Sequence, residues 1–170
     1  SATWSPYPSP RTASMVLVGN NDIPAQDLKG MVDWARRNPG KLSIASYSAG
    51  TSSHYAAVIL NRKAVLVLQH VPFLGSPPAL TQVIGGQVPL MFDGMATSLP
   101  QLRAGKIKVF ALAGKVRSPL LPQVPTLVEL GYPELVFGNW LGVVSSSRLS
   151  PEMQLRIREA LIKAGNASKV

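Results

Sequence analysis

The chain contains no cysteine, which excludes disulfide bonds and thiolate metal sites. Histidine is almost as scarce: His54 and His70 are the only two, sixteen residues apart. No carboxylate stands at ligand spacing from either, so the sequence predicts no metal site and no cofactor. Four Phe, four Tyr and three Trp make a poor platform for stacking bases, and no nucleic-acid module pattern appears. Acidic residues are few as well. Eight Asp and Glu against seventeen Lys and Arg leave a net charge of +9. Such an excess suits an acidic partner, whether nucleic acid, anionic membrane or a small carboxylate. The cations are scattered, with Arg36, Arg37 and Lys41 the tightest group. This reads as a solvated basic surface, and no nucleic-acid partner is expected. No apolar run approaches the length of a membrane span. No signal-peptide pattern is visible, and the first residue need not be a native start.

What is present is the composition of a globular domain: 170 residues, 46% hydrophobic and 15% charged, enough for a core of its own. The opening SATWSPYPSPRT, with three prolines, reads as an irregular lead-in over residues 1–11. From Ala13 the pattern becomes regular. Apolar strands are predicted over 13–19, 42–46, 65–71, 88–94, 107–114 and 139–146. Between them the spacing predicts helices: one carrying Leu28, Met31, Val32 and Ala35, one over 52–62, one in ALTQVIGG and a short one in TSLPQLRAG. A one- or two-turn helix is predicted in TLVELG. A last helix over 150–165 has Ser150 as N-cap, Pro151 at its first position and Gly165 as its stop. Short apolar strands alternating with helices indicate an α/β fold, a mainly parallel sheet flanked by helices on both faces. Ligands of such sheets gather outside the carboxyl ends of the strands. Two loops there draw notice, SYSAGTSSH (46–54) and FDGMATS (92–98).

The first loop is polar and small, and it opens a helix. A helix N-terminus offers unpaired N–H groups and a positive dipole end, which suits an anion; a hydroxyl there also serves as an ordinary cap. His54, in the first turn, reads as a structural hydrogen-bonder or as a base. His70 reads as a satisfied histidine at a sheet edge. Asp93, ending the run PLMF, is read equally as a cap of the next helix and as a ligand contact. A serine nucleophile, Ser52 or Ser48 with His54 as base, is the enzymatic alternative. However, GTSSH is not a G-x-S-x-G elbow, and a third orienting group, Asp93 or Glu129, would have to be brought in by folding. The glycines match neither dinucleotide nor phosphate-loop patterns.

Five stretches together resemble one family: NPGKLSIASYSAGTSSHYAA (38–57), HVPFLGSPPALTQVIGGQVPLMFD (70–93), LPQLRAGKIKVFALAG (99–114), RSPLLPQVPTLVELGYPEL (117–135) and NWLGVVSSSRLSPEMQLRI (139–157). They are similar to the extracytoplasmic solute receptors of tripartite tricarboxylate transporters, the Bug-type binding proteins, in order over roughly residues 12–160. Leu74 stands where the family's VPYKG motif has lysine or arginine, Phe73 replaces its tyrosine, and Ser145, Ser146 and Ser147 replace an alanine and proline run. NRKAVLVLQ is shorter than the family's usual link.

The resemblance implies one lobe of a type II periplasmic-binding-protein-like fold. Residues 12–138 would form the α/β ligand-binding lobe. Residues 139–170 would be a returning strand and helix of a first lobe that is otherwise missing, its main part lying upstream of residue 1. The implied function is a periplasmic receptor for small carboxylates, di- or tricarboxylates, serving membrane permease subunits, with no catalytic activity. The implied site is half of a carboxylate clamp. Ser48, Ala49, Gly50, Thr51 and Ser52 would offer hydroxyls and N–H groups, His54 would brace the loop, and Asp93 would orient the far part of the ligand. A structural remnant that folds and binds nothing is the other alternative. Self-association is expected through Trp140, Leu141, Val143 and Val144 with Leu155, Ile157, Leu161 and Ile162.

Overall fold

The computed structural model describes residues 13–139, 145–146 and 148–166. The sheet begins with β1 (Ala13–Gly19), whose run Met15-Val16-Leu17-Val18 is buried throughout. A strand that is apolar on both sides needs cover on both faces. Met15 and Leu17 enter one core with Ile44, Leu90 and Phe92. Val16 and Val18 enter a second with Ala45 and Met91. The first core is closed by α1 (Leu28–Arg37), through Met31 and Val32, and by α2 (Ser52–Lys63), through Ala56 and Leu60. The second is closed by α3 (Ser76–Ile84), through Ala79 and Val83, and by α4 (Met95–Arg103), through Met95. Helices thus cover both faces, as the alternation predicts.

The remaining strands are β2 (Ser43–Ser46), β3 (Gln69–Pro72), β4 (Leu90–Gly94) and β5 (Lys108–Leu112), in the order β3-β2-β4-β1-β5. A two-residue strand, β6 (Gly138–Asn139), pairs with the start of β1. β2 pairs in parallel with β3 and β4, whereas β1 runs antiparallel to β4 and β5. The sheet is therefore mixed, with β1 alone reversed among the five. An antiparallel strand buried on both faces has the same apolar run as a parallel one, so composition does not betray its direction. The connection fixes it. At the end of β1, Asn20 donates from Nδ2 to the carbonyls of Val83 and Ile84, both at 3.0 Å, and ties the turn to the end of α3.

Several boundaries depart from expectation. The strand expected from residue 65 begins at Gln69. Leu66 and Leu68 alternate as buried residues, but their N–H groups bond to Asn61, one to its carbonyl at 2.8 Å and the other to its side chain at 2.9 Å. The segment wraps the end of α2 instead of joining the sheet. TLVELG forms turns rather than a helix. Thr126 and Glu129 cap one another reciprocally, each bond 3.1 Å, but Leu127 is held by the Leu112 carbonyl and Gly131 leaves at φ +88. α3 starts earlier than expected because Pro77 and Pro78 fit a first turn, where a missing N–H costs no helix bond.

Residues Ala13–Asn139 form one compact unit. The last helix, α5 (Pro151–Asn166), lies outside it and is described by itself. Its entry is as expected, with the Met153 N–H donating to Ser150 Oγ at 3.3 Å. It does not stop at Gly165 but continues to Asn166. The lead-in and most of the strand expected over 139–146, including Trp140, Leu141, Val143 and Val144, lie outside the described residues; Ser145 and Ser146 are not in a strand.

Candidate functional site

Because β2, β3 and β4 run parallel and adjacent, the helices that follow them begin at one edge of the sheet. The N-termini of α2, α3 and α4 meet there. α3 and α4 are preceded by Gly75 and Gly94, and neither N-terminus has a side-chain cap. Each contributes the positive end of a helix dipole.

The β2–α2 loop is shaped by its own hydroxyls. The Ser48 carbonyl accepts from Ser46 Oγ at 3.1 Å and from Thr51 Oγ1 at 2.8 Å. In a trans peptide the C=O and N–H point opposite ways, so the Ala49 N–H points away from both hydroxyls. Ala49 is exposed. Gly50 adopts φ +80, a left-handed conformation that glycine takes without steric cost. Its N–H donates to His54 Nδ1 at 3.0 Å. Thr51 is the N-cap of α2, accepting from the His54 N–H. Ser53 is buried and donates its hydroxyl proton to the Phe92 carbonyl at 2.6 Å, fixing the first turn of α2 on β4. The loop is therefore built to keep one face of its backbone open.

His70 joins this loop from β3. Its Nε2 lies 2.7 Å from Ser46 Oγ, and its ring stacks on that of His54, centroids 3.9 Å apart and planes 13° apart. Burial, with the neighbouring His54 as the lesser cause, holds the His70 imidazole below its ordinary value of 6.5.

Asp93 is fully buried. Its Oδ1 accepts from Ser76 Oγ at 2.6 Å; its Oδ2 accepts from Thr97 Oγ1 and Ser98 Oγ, both at 2.7 Å. The carboxylate thus holds the beginnings of α3 and α4 together. The structure groups Ser48, Ala49, Gly50, Thr51 and His54 in one loop with His70, while Asp93 belongs to a separate hydroxyl cluster below the edge. Sequence reasoning missed Ser46, Ser76, Thr97 and Ser98. Their signal was faint: hydroxyl residues beside strand ends, where neighbouring loops come together.

No Lys or Arg lies within residues 46–55, so an anion here would meet backbone N–H groups and hydroxyls. Among the described residues no cluster of three or more His, Asp or Glu could hold a metal ion.

Residues 8–169 match the family described as Tripartite tricarboxylate transporter family receptor. The chain belongs to this receptor family. Among its relatives is the "UPF0065 protein in tcbD-tcbE intergenic region" of Pseudomonas sp. (strain P51), 34% identical over 90% of this chain and 46% of the relative. The periplasmic binding protein BugD has a similar structure, with TM-score 0.86 and 28% identity over 91% of this chain and 52% of BugD. MatC from Rhodopseudomonas palustris, solved with bound malate, has TM-score 0.85 and 29% identity over 92% of this chain and 53% of MatC. The chain spans about half the length of these relatives. The receptor family and these two neighbours are binding proteins rather than enzymes.

Proposed function

We propose that this chain is the ligand-binding lobe of a periplasmic receptor for small carboxylates, delivering them to the permease subunits of a tripartite transporter. The observation that carries the reading is the orientation of the Ser48–Ala49 peptide. Two hydroxyls hold its carbonyl, leaving the Ala49 N–H turned away from them two residues before the N-cap of α2, beside a helix end where an anion is favoured. Ser48, Ala49, Thr51 and Ser52 are the residues we assign to carboxylate contact. Gly50 and His54 shape the loop, since the Gly50 N–H is given to the imidazole. Asp93 acts indirectly by fixing α3 and α4 beside the ligand. Residues 139–170 are assigned to the other lobe.

An uncharged set of donors suits a receptor, which has to release what it binds. MatC, with its bound malate, makes four-carbon diacids the first ligands to try. Titration calorimetry with a panel of C4 to C6 carboxylates tests the proposal. Heat that saturates, and that is lost when the loop is altered, supports it; a panel without binding at high millimolar concentration refutes it. The hydrolase alternative finds no favouring geometry. His54 Nδ1, where a triad acid would sit, takes the Gly50 N–H, and Asp93 and Glu129 have partners elsewhere.

A further inference from the structure

The contacts around the two histidines fix more than the shape of the loop. A backbone N–H donates to His54 Nδ1, so that nitrogen carries a lone pair and a neutral His54 keeps its proton on Nε2. Ser46 directs its hydroxyl proton to the Ser48 carbonyl. Its oxygen is then the acceptor for His70 Nε2 at 2.7 Å, which puts the His70 proton on Nε2 as well. Two neutral rings with matched tautomers lie face to face, 3.9 Å apart.

We propose that His70 is a positioning residue for the 48–51 loop, and that the stacked His54–His70 pair is a neutral latch released by one proton on His54 Nδ1. What the loop is positioned for rests on the receptor reading above. His70 acts through two arms: its N–H orients Ser46 and so the Ser48 carbonyl, and its ring backs the imidazole that receives the Gly50 N–H. A proton on His54 Nδ1 sets N–H against N–H and frees the Gly50 peptide to turn. It also places a charge against the second ring.

Among the described residues the surrounding elements supply no counter-charge. β2 offers the uncharged Ser46 and Tyr47. The cations of α2, Arg62 and Lys63, stand in its last turn. Asp93, from β4, is engaged by the hydroxyls of α3 and α4. Among the described residues, burial and then His54 lower the His70 value, and no other charge contributes.

Nitrogen-15 NMR on the whole chain tests this. At about pH 7.5 both rings are expected as Nε2–H tautomers, with the Gly50 amide protected from exchange. Protonation of His54, followed by its own ring nitrogens, is expected to move the Ala49 and Gly50 amide signals in step with it and to cut Gly50 protection about tenfold. His70→Gln, which keeps a donor at the same reach but no ring, should disturb the Ala49 and Gly50 amide signals less than loss of the donor does. His70→Phe, which keeps a ring but no donor, should displace them. An Nδ1–H tautomer on His54, a Gly50 amide indifferent to the titration, or a wild-type loop in His70→Phe overturns the proposal. If His70→Phe fails to fold, the tautomers and titration of the natural chain decide. Added malate reports separately. An Ala49 amide that ignores it counts against the receptor reading and leaves the latch standing.

Discussion

Ser76 Oγ donates to Asp93 Oδ1 at 2.6 Å, joining the first residue of α3 to the end of β4. Thr97 and Ser98 complete the cluster from α4. A buried carboxylate is tolerated only when its lone pairs are met, and here three hydroxyls meet them. Asp93→Ala should strand these hydroxyls and cost about 3 kcal/mol, since hydrogen bonds to charged groups contribute about 1.5–3 kcal/mol. Asp93→Asn keeps the shape and one acceptor oxygen, and should cost about half as much. Urea unfolding midpoints with an unchanged slope would measure both. Equal losses for the two variants would mean that the negative charge, which both remove, carries the whole effect and that the shape Asn keeps carries none.

The cluster also shows what the sequence could and could not convey. Burial of Met15 through Val18 on alternate faces was legible because an unbroken apolar strand needs two covers. The reversed direction of β1 was not, because the same run serves either direction. The polar loop was legible as the entry to a helix from its glycine and hydroxyls, with Thr51 as the cap. The partnership of Asp93 with Ser76, seventeen residues away, and of His70 with Ser46, twenty-four away, depends on strand order. Residues 65–68 misled for a local reason: buried alternation marks a strand only when neighbouring backbone is free to pair, and Asn61 takes that role first.

Val65 occupies φ 52, the sole non-glycine residue at positive φ among the described residues. A β-branched side chain is strained there by about 1–2 kcal/mol, and Val65 is 76% exposed, so little packing repays it. Val65→Asn should therefore raise stability by about 1 kcal/mol, because Asn tolerates the left-handed region. A gain of several degrees in melting temperature is the expected readout. No gain would show that the side chain makes contacts worth as much as the strain.

Stability should fall in mild acid because of His70. Its folded value is depressed below 6.5 by burial and, secondarily, by His54. Below 6.5 the unfolded chain takes up a proton that the folded chain resists, so unfolding gains. The stabilisation is complete above 6.5 and is lost as the pH falls from there through the folded value. Urea midpoints measured across this window should decline, and His70→Gln should flatten the decline. A His70→Gln profile parallel to that of the natural chain would assign the acid sensitivity to other groups.

Affinity for a carboxylate should be weak in this chain and should depend on the backbone of residue 50. The loop supplies donors from one side only, and the chain spans about half the length of its relatives. Halving a micromolar binding energy of about −8 kcal/mol leaves about −4 kcal/mol, a Kd near 1 mM. A side chain at Gly50 meets nothing within 4 Å, so its cost lies in the φ of +80. Gly50→Val should add strain of about 1–2 kcal/mol and turn the loop out of shape, lowering affinity beyond detection. Gly50→Asn, which accepts a left-handed backbone, should stay within about threefold of the natural chain. Calorimetry with malate distinguishes these outcomes. Comparable binding by the valine and asparagine variants would show that the ligand does not use this loop, and sub-micromolar affinity in the natural chain would mean that it builds a complete site.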